Sequence, residues 1–100
     1  MVKHIVFFKL KNFESEVEKQ AKMTEIKDAL EALIDKVSVL RKMNVVFNIN
    51  PAEEYDLALV SEFDSLTDVN TYAVHPDHVA VGKNIIGPFK VARACVDYEF

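Results

Sequence analysis

One hundred residues, half of them apolar and 28% charged, suffice for one globular domain with a single core and are too few for two. The net charge of −4, with acidic and basic residues interleaved, supplies no basic surface for nucleic acid and no polybasic stretch for an anionic membrane. The apolar runs fall far short of a membrane span, no cleavage site follows the apolar opening, and the single cysteine, Cys95, excludes an intrachain disulfide; a cytoplasmic chain is the expectation.

Residues 2–11 alternate as a strand, with Val2, His4, Val6, Phe8 and Leu10 on one face and Lys3, Ile5, Phe7 and Lys9 on the other. Ser15-Glu16-Val17-Glu18 has capping-box spacing and starts a helix. Met23, Ile26, Leu30, Leu33 and Val37 then form its apolar stripe, and Glu18, Lys22, Glu25 and Glu31 its solvated side. A second strand is expected over roughly 40–50, a turn at Asn50-Pro51, and a third strand near 56–63. Ser65-Leu66-Thr67-Asp68 caps a second helix that Pro76 must interrupt. A further turn or two runs toward Gly82 or Gly87, Gly87-Pro88 ends it, and the last strand spans about 89–99.

The order β-α-β-β-α-β defines an α+β, ferredoxin-like domain with a four-stranded antiparallel sheet and its helices on one face. The other face should then meet water, yet parity places Ile5, Phe7, Val46, Ala58 and Val60 there. Lys3, Lys9, Asn44, Asn48, Glu62, Arg93 and Asp97 are assigned to the same face. An apolar centre with a polar rim is the pattern of a protein interface. The expectation is a homodimer joined through the sheet face, with Ile5, Phe7, Val46 and Val60 at the joint, forming a dimeric α/β barrel.

Histidine titrates near neutral pH and is the commonest general base, so the three histidines are the first candidates for chemistry. His4 falls on the helix-covered face, where a hydrogen-bonded core role competes with a functional one. Tyr72-Ala73-Val74-His75-Pro76-Asp77-His78 is the densest polar and aromatic cluster. His75 precedes a proline and suits a cap of the following turn. His78 has no such structural duty, and Gly82, one turn on, leaves room beside it. Zinc would need three or four ligands in tetrahedral order, and His75 and His78, three apart across a proline, match that poorly; no metal is expected. Cys95 reads as a small interface residue sharing a face with Arg93 and Asp97.

Val2-Lys3-His4-Ile5-Val6-Phe7-Phe8-Lys9-Leu10-Lys11 and His75-Pro76-Asp77-His78-Val79-Ala80-Val81-Gly82 resemble the stress-responsive dimeric A/B barrel family, over essentially the whole chain. The resemblance implies the same fold and homodimer. The family includes a cofactor-free plant polyketide cyclase that carries out an intramolecular aldol condensation. It also includes a heat-stable ring-forming plant protein and many bacterial members without an assigned activity. By resemblance His78 is the general base, Tyr72 assists it by hydrogen bonding, and His4 lines the same pocket. Ala73, Val81, Ala92 and Ala94 stand where that cyclase is bulky, so a long-chain substrate is not implied.

The resulting expectation is a small-molecule pocket without cofactor, in which His78, Tyr72 and His4 abstract a proton next to a carbonyl. His78 is the base, Tyr72 stabilises the enolate oxygen and His4 orients the pair; Val6, Phe8, Leu59, Ala73, Val81 and Gly82 form the walls. The alternatives are a non-enzymatic stress-associated or ligand-binding dimer and, from fold analogy alone, a cofactor-independent monooxygenase.

Overall fold

The computed structural model describes residues 1–100. Strand β1 (Val2–Leu10) leads to helix α1 (Glu16–Glu31), which tightens into a 3-10 turn at Ala32–Asp35. Strands β2 (Lys42–Phe47) and β3 (Leu57–Phe63) follow, then helices α2 (Leu66–Val74) and α3 (Pro76–Val81). A π turn at Gly82–Ile86 precedes strand β4 (Lys90–Glu99). All neighbouring strands are antiparallel, in the order β2-β3-β1-β4, so β2 and β4 are the edges. This is the ferredoxin-like α+β fold that the sequence predicts.

The helix starts follow from capping. Ser15 accepts a hydrogen bond from the Glu18 N–H at 3.1 Å, and Ser65 does the same for Asp68 at 3.2 Å. The expected stripe on α1 and the turns after it is buried in full: Met23, Ile26, Leu30, Leu33 and Val37 are each at most 4% exposed. They pack on Val6, Phe8, Leu57, Leu59 and Phe63 from the covered sheet face, giving one contiguous core. The break at Pro76 is also where expected. His75 takes an extended ψ of 133°, and its Nδ1 accepts the Asp77 N–H at 3.1 Å, capping α3. Gly87 caps the π turn at a place where a Cβ would lie 2.9 Å from the Gly82 carbonyl oxygen, so a side chain there would force a shift.

Three features depart from the sequence reading. Strand β2 ends at Phe47, and Ile49, 95% exposed, continues no alternation. Glu31 is not on a purely solvated face: it accepts the Val45 N–H at 2.9 Å while its partner Lys27 donates to the Val45 carbonyl at 2.7 Å. The pair thereby closes one unpaired peptide on the β2 edge, which otherwise would be open to another strand. The third departure concerns β4. His4 stands opposite Asp97, Val6 opposite Cys95 and Phe8 opposite Arg93. Directly paired residues share a face, so Arg93, Cys95 and Asp97 lie on the helix side and not on the open face. Ala92, Ala94, Val96 and Tyr98 take the open face instead. A register shift at Lys9/Leu10 leaves Val91 as the extra residue of a bulge.

Candidate functional site

The alternation of β1 and β3 places His4, Val6, Phe8 and Leu59 beneath the helices, while α2 lays Tyr72 onto them. Tyr72 is 2% exposed, and its ring lies 5.2 Å from that of Phe63. The turn at His75 then redirects the chain so that α3 returns His78 over Tyr72, ring centroids 4.3 Å apart. Between these groups is a cavity of about 180 Å³. His4, Tyr72 and His78 all line it, with Val6, Phe8, Leu59, Ala73 and Gly82. Val81 does not; it packs against the core from outside the cavity. Ala92 and Ala94 are no walls either, since they belong to the open sheet face.

His78 is held in one tautomer. Its Nδ1 lies 3.1 Å from the Ala73 carbonyl oxygen, which can only accept, so Nδ1 carries the proton and Nε2 keeps its lone pair. Burial pushes the imidazole below its ordinary pKa of 6.5. The Ala73 carbonyl opposes that shift, and the positive charges of His4, Arg93 and His75 reinforce it. The ring is therefore a neutral base at neutral pH. Burial alone raises the Tyr72 phenol well above its ordinary 10. It stays protonated and is a donor, yet its hydroxyl is buried without any hydrogen-bond partner.

His4 has a different partner from the one expected. Its Nδ1 hydrogen-bonds the Asp97 carboxylate, with Cys95 Sγ 3.5 Å from the same nitrogen. The Phe63 ring, 6.1 Å away edge-on, is its aromatic neighbour. His4 is thus oriented by Asp97 and shares the cavity with His78 and Tyr72 without anchoring them. Cys95 is part-buried in this cluster, on the helix side of the sheet and not on the open face. Burial first, then Asp97, push its thiol upward, so it remains protonated rather than a nucleophile. Of the metal donors weighed from sequence, His75 and Asp77 approach to 4.0 Å, but His4, His75, Asp77 and His78 form no common cluster. The trio that does gather is His4, Cys95 and Asp97, donor atoms within 4.8 Å of one another.

Sequence reasoning missed two cations. Lys90 and Arg93 also line the cavity, beside Leu30, Met43, Val69 and Ile86. Leu30 belongs to the expected apolar stripe; Val69, Ile86 and Lys90 were not singled out, and Arg93 was placed on the wrong face. Correct pairing of β4 with β1 was the signal needed.

A covered antiparallel sheet, a ferredoxin-like topology and a cavity between sheet and helices define a small ferredoxin-like α+β module. The chain belongs to the stress-responsive A/B barrel domain family, whose model matches residues 2–100. A dimeric protein of unknown function with a ferredoxin-like fold from Bacteroides fragilis is 55% identical, with a TM-score of 0.90 over 99% of this chain and 95% of that one. A dimeric ferredoxin-like protein of unknown function from Thermobifida fusca is 24% identical, with a TM-score of 0.80 over 99% and 90%. A hydroxynitrile lyase from Passiflora edulis is 20% identical, with a TM-score of 0.78 over 97% and 90%; at this identity the likeness is one of fold. No curated protein matches the chain. No helix is long and apolar enough to cross a membrane.

Proposed function

We propose that the cavity binds a small carbonyl compound and that His78 abstracts a proton next to the carbonyl, without a cofactor. The observation that carries this reading is that Tyr72 and His78 line one cavity with their rings 4.3 Å apart, the Tyr72 hydroxyl being buried without a hydrogen-bond partner. A buried donor left without a partner costs about 1–3 kcal/mol, and a ligand oxygen offsets that cost. In the reaction, Nε2 of His78 takes the proton from carbon, and the C–H electron pair moves toward the carbonyl, which becomes an enolate. The Tyr72 O–H donates to that oxygen as its charge develops. The enolate carbon then attacks a second carbonyl, as in a cyclisation, and the imidazolium returns its proton to the new alkoxide. His4, fixed by Asp97, lines the same cavity. A hydroxynitrile lyase shares this fold, which supports lyase-like proton transfer as the kind of chemistry such a cavity accommodates. A cavity of about 180 Å³ is a little larger than one that accepts benzene, which favours a compact substrate over a long chain.

The test is deuterium exchange into the α-carbon of a small 1,3-dicarbonyl such as acetylacetone, followed by NMR. Exchange faster than buffer that falls about 10²–10⁴-fold in His78→Ala is the expected result. Equal exchange by both proteins refutes the reading.

The chain is further proposed to act as a homodimer through the open sheet face. Val46, Val96 and Tyr98 are 44%, 55% and 43% exposed there, next to Ile5, Phe7 and Val60. Phe7, Val46, Tyr55 and Ala58 border an apolar hollow of about 340 Å³, a surface that a partner's side chains would fill. The relative from Bacteroides fragilis, 55% identical, is described as dimeric, which supports the same assembly.

A further inference from the structure

We infer that the cavity selects small carboxylates over neutral molecules, through Lys90 and Arg93; the inference rests on the reading of this cavity as a substrate pocket and names the class it takes. Arg93 stands directly opposite Phe8 in the β1–β4 pairing, which sets it on the cavity face. Lys90 holds its ammonium 5.9 Å from the centroid of the Phe8 ring, so both cations are set by Phe8, one opposite it in the sheet and one over its ring.

Neither has a carboxylate partner. The side-chain ion pairs of the chain engage Lys3, Lys19, Lys22, Lys27 and Arg41, together with His4 and His75. Of the 12 basic side chains, seven form no such pair, and among these Lys90 and Arg93 are the two that line this small, mostly apolar cavity. The acid nearest in the β4 pattern, Asp97, is engaged by His4. Two like charges lining one cavity repel, and a bound anion relieves that repulsion. The same cavity is lined by Tyr72, whose hydroxyl is unpaired, and by His78, whose Nε2 is free. A molecule about the size of one substituted ring, carrying a carboxylate and a carbonyl or hydroxyl, matches both sets of groups.

Benzoate and its neutral isostere benzamide are the probes, titrated by NMR and calorimetry into wild type, the double variant Lys90→Gln/Arg93→Gln, and His78→Ala. A charge-assisted contact predicts about 10–100-fold tighter binding of benzoate than of benzamide. The preference should vanish in the double variant, whose melting should match wild type because both side chains are exposed. Benzoate should also raise the titration midpoint of His78, since a nearby anion favours the imidazolium. Equal affinity for the two probes, no binding of either, or a preference that survives the double variant overturns the inference. Equal affinity with both probes shifting His78 resonances overturns only the charge selection and leaves the proton-abstraction reading standing. Benzoate selection lost in the double variant, without any deuterium exchange on acetylacetone, upholds the anion site and removes the catalysis.

Discussion

Tyr72→Phe isolates a single atom. The ring of Tyr72 packs between Phe63 and His78, at centroid distances of 5.2 and 4.3 Å, and phenylalanine keeps both contacts. What is lost is a hydroxyl that is buried and makes no hydrogen bond in the folded chain. In the unfolded chain the same hydroxyl is hydrated, so folding carries a desolvation cost of about 1–3 kcal/mol that phenylalanine does not. The variant should therefore be as stable as wild type or more so, by about 1 kcal/mol. For a domain of this size that raises the melting midpoint by about 4–8 °C. Urea and thermal melts at matched protein concentration, which a dimer requires, measure it directly. Activity should move the other way, since a donor aimed at developing oxyanion charge is typically worth about 10²–10³ in rate. A Tyr72→Phe variant destabilised by more than about 1 kcal/mol would mean that the hydroxyl has a structural partner, and the functional reading of this side chain fails.

Phe7→Glu sets a carboxylate in the centre of the proposed sheet interface, where a buried unpaired charge costs several kcal/mol. Sedimentation should show monomer or misfolded chain; a stable dimer removes Phe7 from the interface. Gly82→Ala should stabilise the helical turn by about 0.4–1 kcal/mol, because a Cβ there meets no atom within 4 Å, while narrowing the cavity and weakening benzoate binding. For the pH dependence, the folded-state pKa of His78 lies below 6.5, so the unfolded chain binds more protons between those two values. The contribution of His78 to stability should be constant above about pH 6.5 and fall as the pH drops toward the lowered value. Stability curves of wild type against His78→Ala reveal it.

Much of the fold was legible because periodicity and caps agreed. The stripe from Met23 to Val37, the Ser15 and Ser65 caps and the alternation of β1 each pointed to one element, and each is seen. β4 was not legible, for a physical reason. It is an edge strand, so Arg93 and Asp97 can face the helix layer and still reach solvent, and neither alternating set is clearly the apolar one. The error in parity hid the Asp97 partner of His4 and the cation at the cavity wall. The direction of His78 was equally closed to sequence reasoning, because Pro76 interrupts the helical register. It is the extended ψ of His75 that brings the ring back over Tyr72. Charge on α1 misled in a smaller way: Glu31 looks solvated in sequence and in fact holds the edge of β2.

The central claim is that His78 is a base in a cavity and not a core histidine. His78→Ala, melted beside an NMR titration of the three imidazoles, tests it without a known substrate. A cavity residue makes few packing contacts, so the variant should lose little stability, and in wild type the His78 imidazole should titrate below 6.5 within the native range. Loss of about 2–4 kcal/mol on substitution, with a His78 that does not titrate while the protein stays folded, would show a packed structural histidine and contradict the account.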